Sequence, residues 1–144
     1  MVEVRPLRAI DRDAWQPLWE GYLAFYRKDL DPAVTDDVFR RLSREAQGMF
    51  GLLAVDRGTA VGLAHAVLHP STWSAARYCY LEDLFVAPSA RGAGAARALV
   101  EAVYTRADAT AADRVYWHTQ QDNTAAQALY NQLAHRTTLV TYER

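Results

Sequence analysis

The stretch SARGAGAARALVEAV, Ser89 to Val103, carries the clearest chemical signal in the chain. Gly92 and Gly94 allow a ligand to approach the backbone closely. The helix start that follows offers N–H groups without intrahelical acceptors. Together with the positive end of the helix dipole and the fixed charge of Arg91, these groups form an anion cradle suited to a phosphate or pyrophosphate. Two familiar phosphate loops do not account for it. A P-loop requires Gly-Lys-Ser or Gly-Lys-Thr, which is absent. The dinucleotide fingerprint requires a small residue where this chain has Arg97.

Other groups capable of chemistry stand apart from this turn. Glu82 and Asp83 are adjacent on an apolar, aromatic run, so strand alternation sends them to opposite faces and only one can line a given cleft. Tyr130 falls on a helical stripe with Ala126, Leu129, Leu133 and Ala134. His65, His69, His118 and His135 show no metal-ligand spacing, and no metal is expected. Cys79 is the single cysteine, which excludes an internal disulfide and a multi-cysteine zinc site.

The elements that position these groups read as follows. Val2 and Val4 begin a strand that ends at Pro6, and residues 13–28 place Trp15, Leu18, Trp19, Tyr22, Phe25 and Tyr26 at helical spacing. A second helix is predicted over TDDVFRRLSREAQ with Thr35 as its N-cap. MFGLLAV and AVGLAHAVLH, joined through Asp-Arg-Gly, form a β-hairpin, and YCYLEDLFVAP is a strand stopped by Pro88. After the glycine-rich turn come a helix with Leu99, Val100, Val103, Tyr104 and Ala107 on one face, a short strand RVYWHT, a helix NTAAQALYNQLA capped by Asn123 or Thr124, and a closing strand TTLVTY. The predicted order is β-α-α-β-β-β-α-β-α-β: one α/β domain over residues 1–144, with a mixed central sheet flanked by helices.

Composition bounds the function. With 144 residues and 51% hydrophobic content, the chain can bury a sizeable core. A net charge of −1 with 23% charged residues argues against a basic nucleic-acid binder and against disorder. No apolar run reaches the roughly 18 residues that span a bilayer, and the first residues do not resemble a signal peptide. A soluble, cytoplasmic protein with no nucleic-acid or membrane partner is expected.

Read as R-x-x-G-x-A behind LFVAP, residues 84–96 resemble the acetyl-coenzyme A motif of the GNAT N-acetyltransferases, and the order of elements is similar over nearly the whole chain. The run YLEDLFV is similar to the spermidine/spermine acetyltransferases. VYWHTQQDNTAAQALY and LWEGYLAFY look closer to the yeast-type histone, polyamine and D-amino-acid branch. The resemblance implies that the backbone of Leu84, Phe85 and Val86 pairs with the pantetheine arm like an added strand. It also implies that Arg91, Gly92, Ala93, Gly94, Ala95, Ala96 and Arg97 surround the pyrophosphate and that Asn123 hydrogen-bonds the pantetheine. Tyr130 matches the tyrosine that protonates the departing thiolate, and Glu82 the carboxylate that accepts the amine's proton. Tyr22 and Tyr26 are placed beside the acceptor, where cation–π contact suits an ammonium; Asp83 and His118 are the further acceptor-side candidates.

The chemistry suits those roles. An alkyl amine with pKa ~10.4 must lose a proton before it attacks, and a phenol with pKa ~10 can protonate a thiolate of pKa about 8.5. Direct transfer from acetyl-CoA to a primary amine is expected, since Cys79 lies outside the matched positions. A small amine such as a polyamine or amino acid is the first expectation, and a protein lysine or N-terminal amine the second. The alternative is a non-catalytic acyl-CoA sensor, which would need neither Glu82 nor Tyr130. The text after Tyr130, YNQLAHRTTLVTYER, lacks the Gly-Phe turn common in this family and leaves little room beyond TTLVTY. An unpaired edge there favours pairing with a second subunit, so a homodimer is expected.

Overall fold

The structure is a computed structural model that describes residues 1–144. Its elements are β1 (Val2–Pro6), α1 (Arg12–Phe25), α2 (Pro32–Ser43), β2 (Met49–Asp56), β3 (Thr59–Pro70), β4 (Arg77–Val86), α3 (Ala95–Ala109), β5 (Arg114–Tyr116) and α4 (Thr124–Leu133). The strands form one sheet in the order β1-β2-β3-β4-β5, antiparallel except for the parallel β4–β5 pair. This is the mixed, helix-flanked α/β sheet expected from the sequence. The hairpin turn has Arg57 at φ 51° and Gly58 at φ 80°, the left-handed pair that a two-residue turn needs to match strand twist.

Each face of the sheet buries its own core. Phe50, Leu52, Ala64, Ala66, Leu81 and Val86 pack against Leu99, Val100 and Val103 of α3. On the other face Leu53, Leu63 and Phe85 pack against Trp15, Leu18 and Trp19 of α1 and Phe39 and Leu42 of α2. Gly21 lets α1 lie close to β4, because a Cβ there would stand 2.9 Å from the Phe85 ring. A glycine inside a helix costs about 1 kcal/mol relative to alanine; here it secures the contact between α1 and β4.

Two expectations are corrected. The second helix starts at Pro32 rather than Thr35, with Asp31 as its cap accepting from the Ala33 N–H at 2.8 Å. Proline suits the first helical position, where its missing N–H costs nothing. Thr35 is buried inside the helix and accepts from the Trp19 indole at 3.3 Å. The closing strand over TTLVTY does not form; no element follows Leu133, and Leu139, Val140 and Tyr142 are exposed. A β-rich composition makes a strand only where a neighbour pairs with it, and β5, which would be that neighbour, is three residues long.

A buried carboxylate ties β1 to the start of α1. Asp11 receives two 2.8 Å bonds from the Arg5 guanidinium and one of 2.7 Å from the Arg8 backbone N–H. The Arg5 hydrogen bonds hold its pKa down at about 2, from the ordinary 3.8. The folded value lies below the unfolded one, so the stabilisation is complete above the unfolded pKa and disappears as pH falls toward the folded one. Urea unfolding should lose about 2 kcal/mol between pH 5 and pH 2 from this group. That component should be missing in Asp11→Asn, and an unchanged pH dependence in the variant would refute the assignment.

Candidate active site

The site begins with one extra residue in β4. β3 pairs His65 with Asp83 and then Ala66 with Leu81, so Glu82 has no partner and forms a bulge. Before the bulge Cys79 and Leu81 face the α3 core, and after it Leu84 and Val86 do. Two neighbours therefore point the same way: Glu82 and Asp83 both line a cavity of about 780 Å³ on the α1–α2 face. The expectation that they take opposite faces fails because alternation holds only where pairing is unbroken.

Tyr22, Tyr26, Tyr80 and His65 share that cavity with the two carboxylates. Reduced hydration raises the Glu82 pKa, and the adjacent Asp83 charge raises it further, against the opposing charge of Arg41. Burial followed by the charge of Asp83 raises both Tyr22 and Tyr26, which keeps the phenols protonated. Asp83 is fixed in place. His65, only 3% exposed, contacts Asp83 Oδ2 through Nδ1 at 2.9 Å and accepts at Nε2 from the Trp15 indole N–H at 3.0 Å. An indole N–H can only donate, so Nε2 is the acceptor and the ring proton sits on Nδ1, donated to the carboxylate. His65 was read from sequence as an ordinary histidine; its only sequence signal is a polar residue inside the apolar run GLAHAV.

On the far side of β4 lies a second cavity of about 460 Å³. β5 accompanies β4 only to the Tyr80–Tyr116 pair, so from Glu82 onward that edge of β4 has no neighbouring strand. Leu84, Phe85 and Val86 form one wall of the cavity, and Asn123, Leu129 and Tyr130 of the α4 segment form the other. The glycine-rich turn closes its end. Gly92 and Gly94 both have φ +87°, and a Cβ at either would meet nothing within 4 Å, so the glycines leave open space there. Gly94 starts α3 without a side-chain cap, and the N–H groups of Ala95, Ala96 and Arg97 have no acceptor in the chain.

Arg91 lines this cavity and donates from Nε to the Val86 carbonyl at 3.2 Å, which leaves its terminal N–H groups free. Arg97 also lines it, donating to Gln132 and lying 4.0 Å from Glu101. Ala93 is exposed and does not line it, because the left-handed residues on either side turn it outward. Asn123 caps α4 through the Ala126 N–H at 3.4 Å and donates to Thr119 at 3.4 Å. This set of unpaired amides, guanidinium N–H groups and an open strand edge fits a pyrophosphate carrying an extended amide-bearing arm.

Tyr130 stands against Trp117, ring centroids 5.4 Å apart. Burial, and then Tyr26, raises its pKa, and its hydroxyl makes no hydrogen bond within the protein. Tyr26 lines both cavities and so marks where they meet. His118 does not line the acceptor cavity itself: it lines a third cleft of about 270 Å³ between β5, α4 and the C-terminal residues, at 3.3 Å from the hydroxyl of Tyr80, which does. The short β5 ends before it.

Comparison with known proteins agrees with this geometry. Residues 9–134 match the acetyltransferase (GNAT) family. The chain is 36% identical over 145 residues to the D-amino-acid N-acetyltransferase HPA3 of Saccharomyces cerevisiae, covering 99% of this chain and 90% of the relative. It is 31% identical over 133 residues to YhfO, an uncharacterized N-acetyltransferase of Bacillus subtilis, covering 91% and 87%. Among solved structures, the aminoglycoside enzyme AAC(6')-Iy in complex with a CoA-containing bisubstrate analogue superposes with a TM-score of 0.86 at 23% identity, covering 100% of this chain and 97% of that one.

The His65 relay has a measurable consequence. His65→Leu should cost about 1–3 kcal/mol in urea unfolding, because it leaves the buried Trp15 N–H without an acceptor. In a Trp15→Phe background the same substitution should cost less. Equal costs in the two backgrounds would remove the proposed bond.

Proposed function

The chain belongs to the acetyltransferase (GNAT) family and is an acetyl-CoA-dependent N-acetyltransferase, and from that premise we propose that it acetylates the primary amine of a small molecule, bound between Glu82, Asp83, Tyr22 and Tyr26. The observation that carries this reading is the meeting of the two cavities at Tyr26: one is rich in donors for an anionic cosubstrate, the other holds two carboxylates for a cation. The yeast relative is by name an enzyme of amino acids, which supports a small acceptor over a protein lysine. An acyl-CoA sensor would require neither Glu82 in the one cavity nor Tyr130 in the other, and the chain has both residues, which supports the enzyme.

The residues divide the work. The amides of Ala95, Ala96 and Arg97 and the Arg91 guanidinium hold the pyrophosphate, while the open edge of β4 and Asn123 align the pantetheine arm. Acetyl-CoA supplies the acyl group as a thioester. Glu82 and Asp83 draw in the ammonium form of the acceptor. Glu82, with its raised pKa, takes the proton that the amine must lose, directly or through water. Asp83, clamped by His65, orients the amine. The amine's attack on the thioester carbonyl forms the C–N bond and ends in C–S cleavage; Tyr130, protonated at neutral pH, donates to the sulfur as it departs, and a thiolate of pKa about 8.5 leaves readily because it is a weaker base than a phenolate. We place the enzyme in the cytoplasm as a homodimer, with the free edge of β5 as the surface open to a second copy.

Thiol release with an accepted amine tests these roles. Tyr130→Phe should lower kcat by about 10²–10⁴-fold with little change in the KM for acetyl-CoA. Retained turnover would keep the enzyme but discard this acid. Glu82 acts deprotonated, so kcat/KM should fall as pH drops through its raised pKa, giving an acid limb above the ordinary carboxylate range. Glu82→Gln should lower the plateau and abolish that limb; a limb that persists would assign the base elsewhere.

A further inference from the structure

The acceptor cavity carries cationic side chains as well as carboxylates. Besides the Glu82–Asp83 bulge, its wall carries Arg41 from α2, Gln47 from the turn before β2 and Lys28 from the loop after α1. Arg41 spends Nε on Asp37 Oδ2 at 2.8 Å, but its Nη1 reaches only the Met49 sulfur at 3.0 Å and its Nη2 has no acceptor. A thioether is a weak acceptor, so the outer edge of the guanidinium carries strong donors without an oxygen. Lys28 makes no ion pair, although it also borders a groove containing Glu20 and Asp29. Gln47 is held in the left-handed region at φ 59°, an unfavourable conformation for a residue with a side chain, and its amide makes no hydrogen bond. Arg41 and Glu82 are close enough for the guanidinium to pull the carboxyl pKa down against its burial.

A polyamine has no group for the cationic wall, and its second ammonium would be repelled there. A peptide lysine or an amide would leave the same donors unpaired. An amine that also carries a carboxylate satisfies the carboxylates and the cationic donors at once. Building on the acetyltransferase reading above, we propose that Arg41, assisted by Lys28 and Gln47, forms a carboxylate subsite, and that the acceptor is a free amino acid, bound with its amine at Glu82 and Asp83. Guanidinium and carboxylate pair through charge-assisted and often bidentate bonds, which read a free acid far better than its amide.

The test compares D- and L-alanine, methionine and phenylalanine, each against its own amide and decarboxylated amine, with spermidine alongside. Turnover and calorimetric binding to the CoA-loaded protein are both measured. At least one free acid should exceed its amide and amine by about tenfold or more in kcat/KM and in affinity. Arg41→Gln should raise KM for that acid and erase the preference, Arg41→Lys should restore part of it, and unfolding midpoints would confirm that both variants are folded. Amides, simple amines or spermidine used as well as the free acids, or a preference that survives Arg41→Gln, would overturn the subsite. Selective binding of free acids without acetyl transfer would uphold the subsite and reject the transfer reading, so the two failures are distinguishable.

Discussion

The candidate active site depends on a single unpaired residue. β4 has one residue more than β3 can match, and the bulge at Glu82 reverses which side chains face which core. Without it, Glu82 and Asp83 would divide between the two faces, and Leu84 and Val86 would leave the α3 core. With it, two carboxylates enter one cavity while the apolar residues on both sides remain buried. The cost is a lost ladder pairing and two neighbouring negative charges. The His65 bond to Asp83 offsets part of that charge, and burial, with the Asp83 charge behind it, raises the pKa of Glu82.

The second constraint is the early departure of β5 from β4. The sheet supplies a strand edge with no partner, directly above a helix whose first N–H groups are also unpaired. Backbone groups left without partners are costly when buried, and here they are gathered in one open cavity whose donors fit an extended, amide-rich, anionic ligand. Tyr26 and Tyr130 stand near where this cavity meets the acceptor side, and burial raises both phenols. Burial thus keeps both hydroxyls protonated.

Local pattern accounts for most of what was legible. The apolar runs of β1 to β4, the helical spacing of Trp15, Leu18 and Trp19, and the Arg57–Gly58 turn are determined within a few residues, and all were read with nearly the observed boundaries. The glycine-rich turn was legible for the same reason, since positive φ at Gly92 and Gly94 is a local demand. The failures share one cause. TTLVTY has strand composition but no partner, Thr35 was a plausible cap until Asp31 and Pro32 competed for the position, and His118 depended on where β5 ended. Each outcome is set by a neighbour distant in sequence or by competition at a boundary.

From the sequence alone came the fold class and the glycine-rich turn, because composition, periodicity and turn chemistry act over short distances, whereas Glu82 and Tyr130 were singled out by the family resemblance. Only the tertiary structure decided that Glu82 and Asp83 share a cavity, that His65 holds one of them across 18 residues of chain with Trp15 behind it across 50, and that Arg41 of α2 lines the same cavity. The physical reason is register: a one-residue bulge redirects every side chain beyond it, and strand pairing, not the local sequence, determines where that residue is left over.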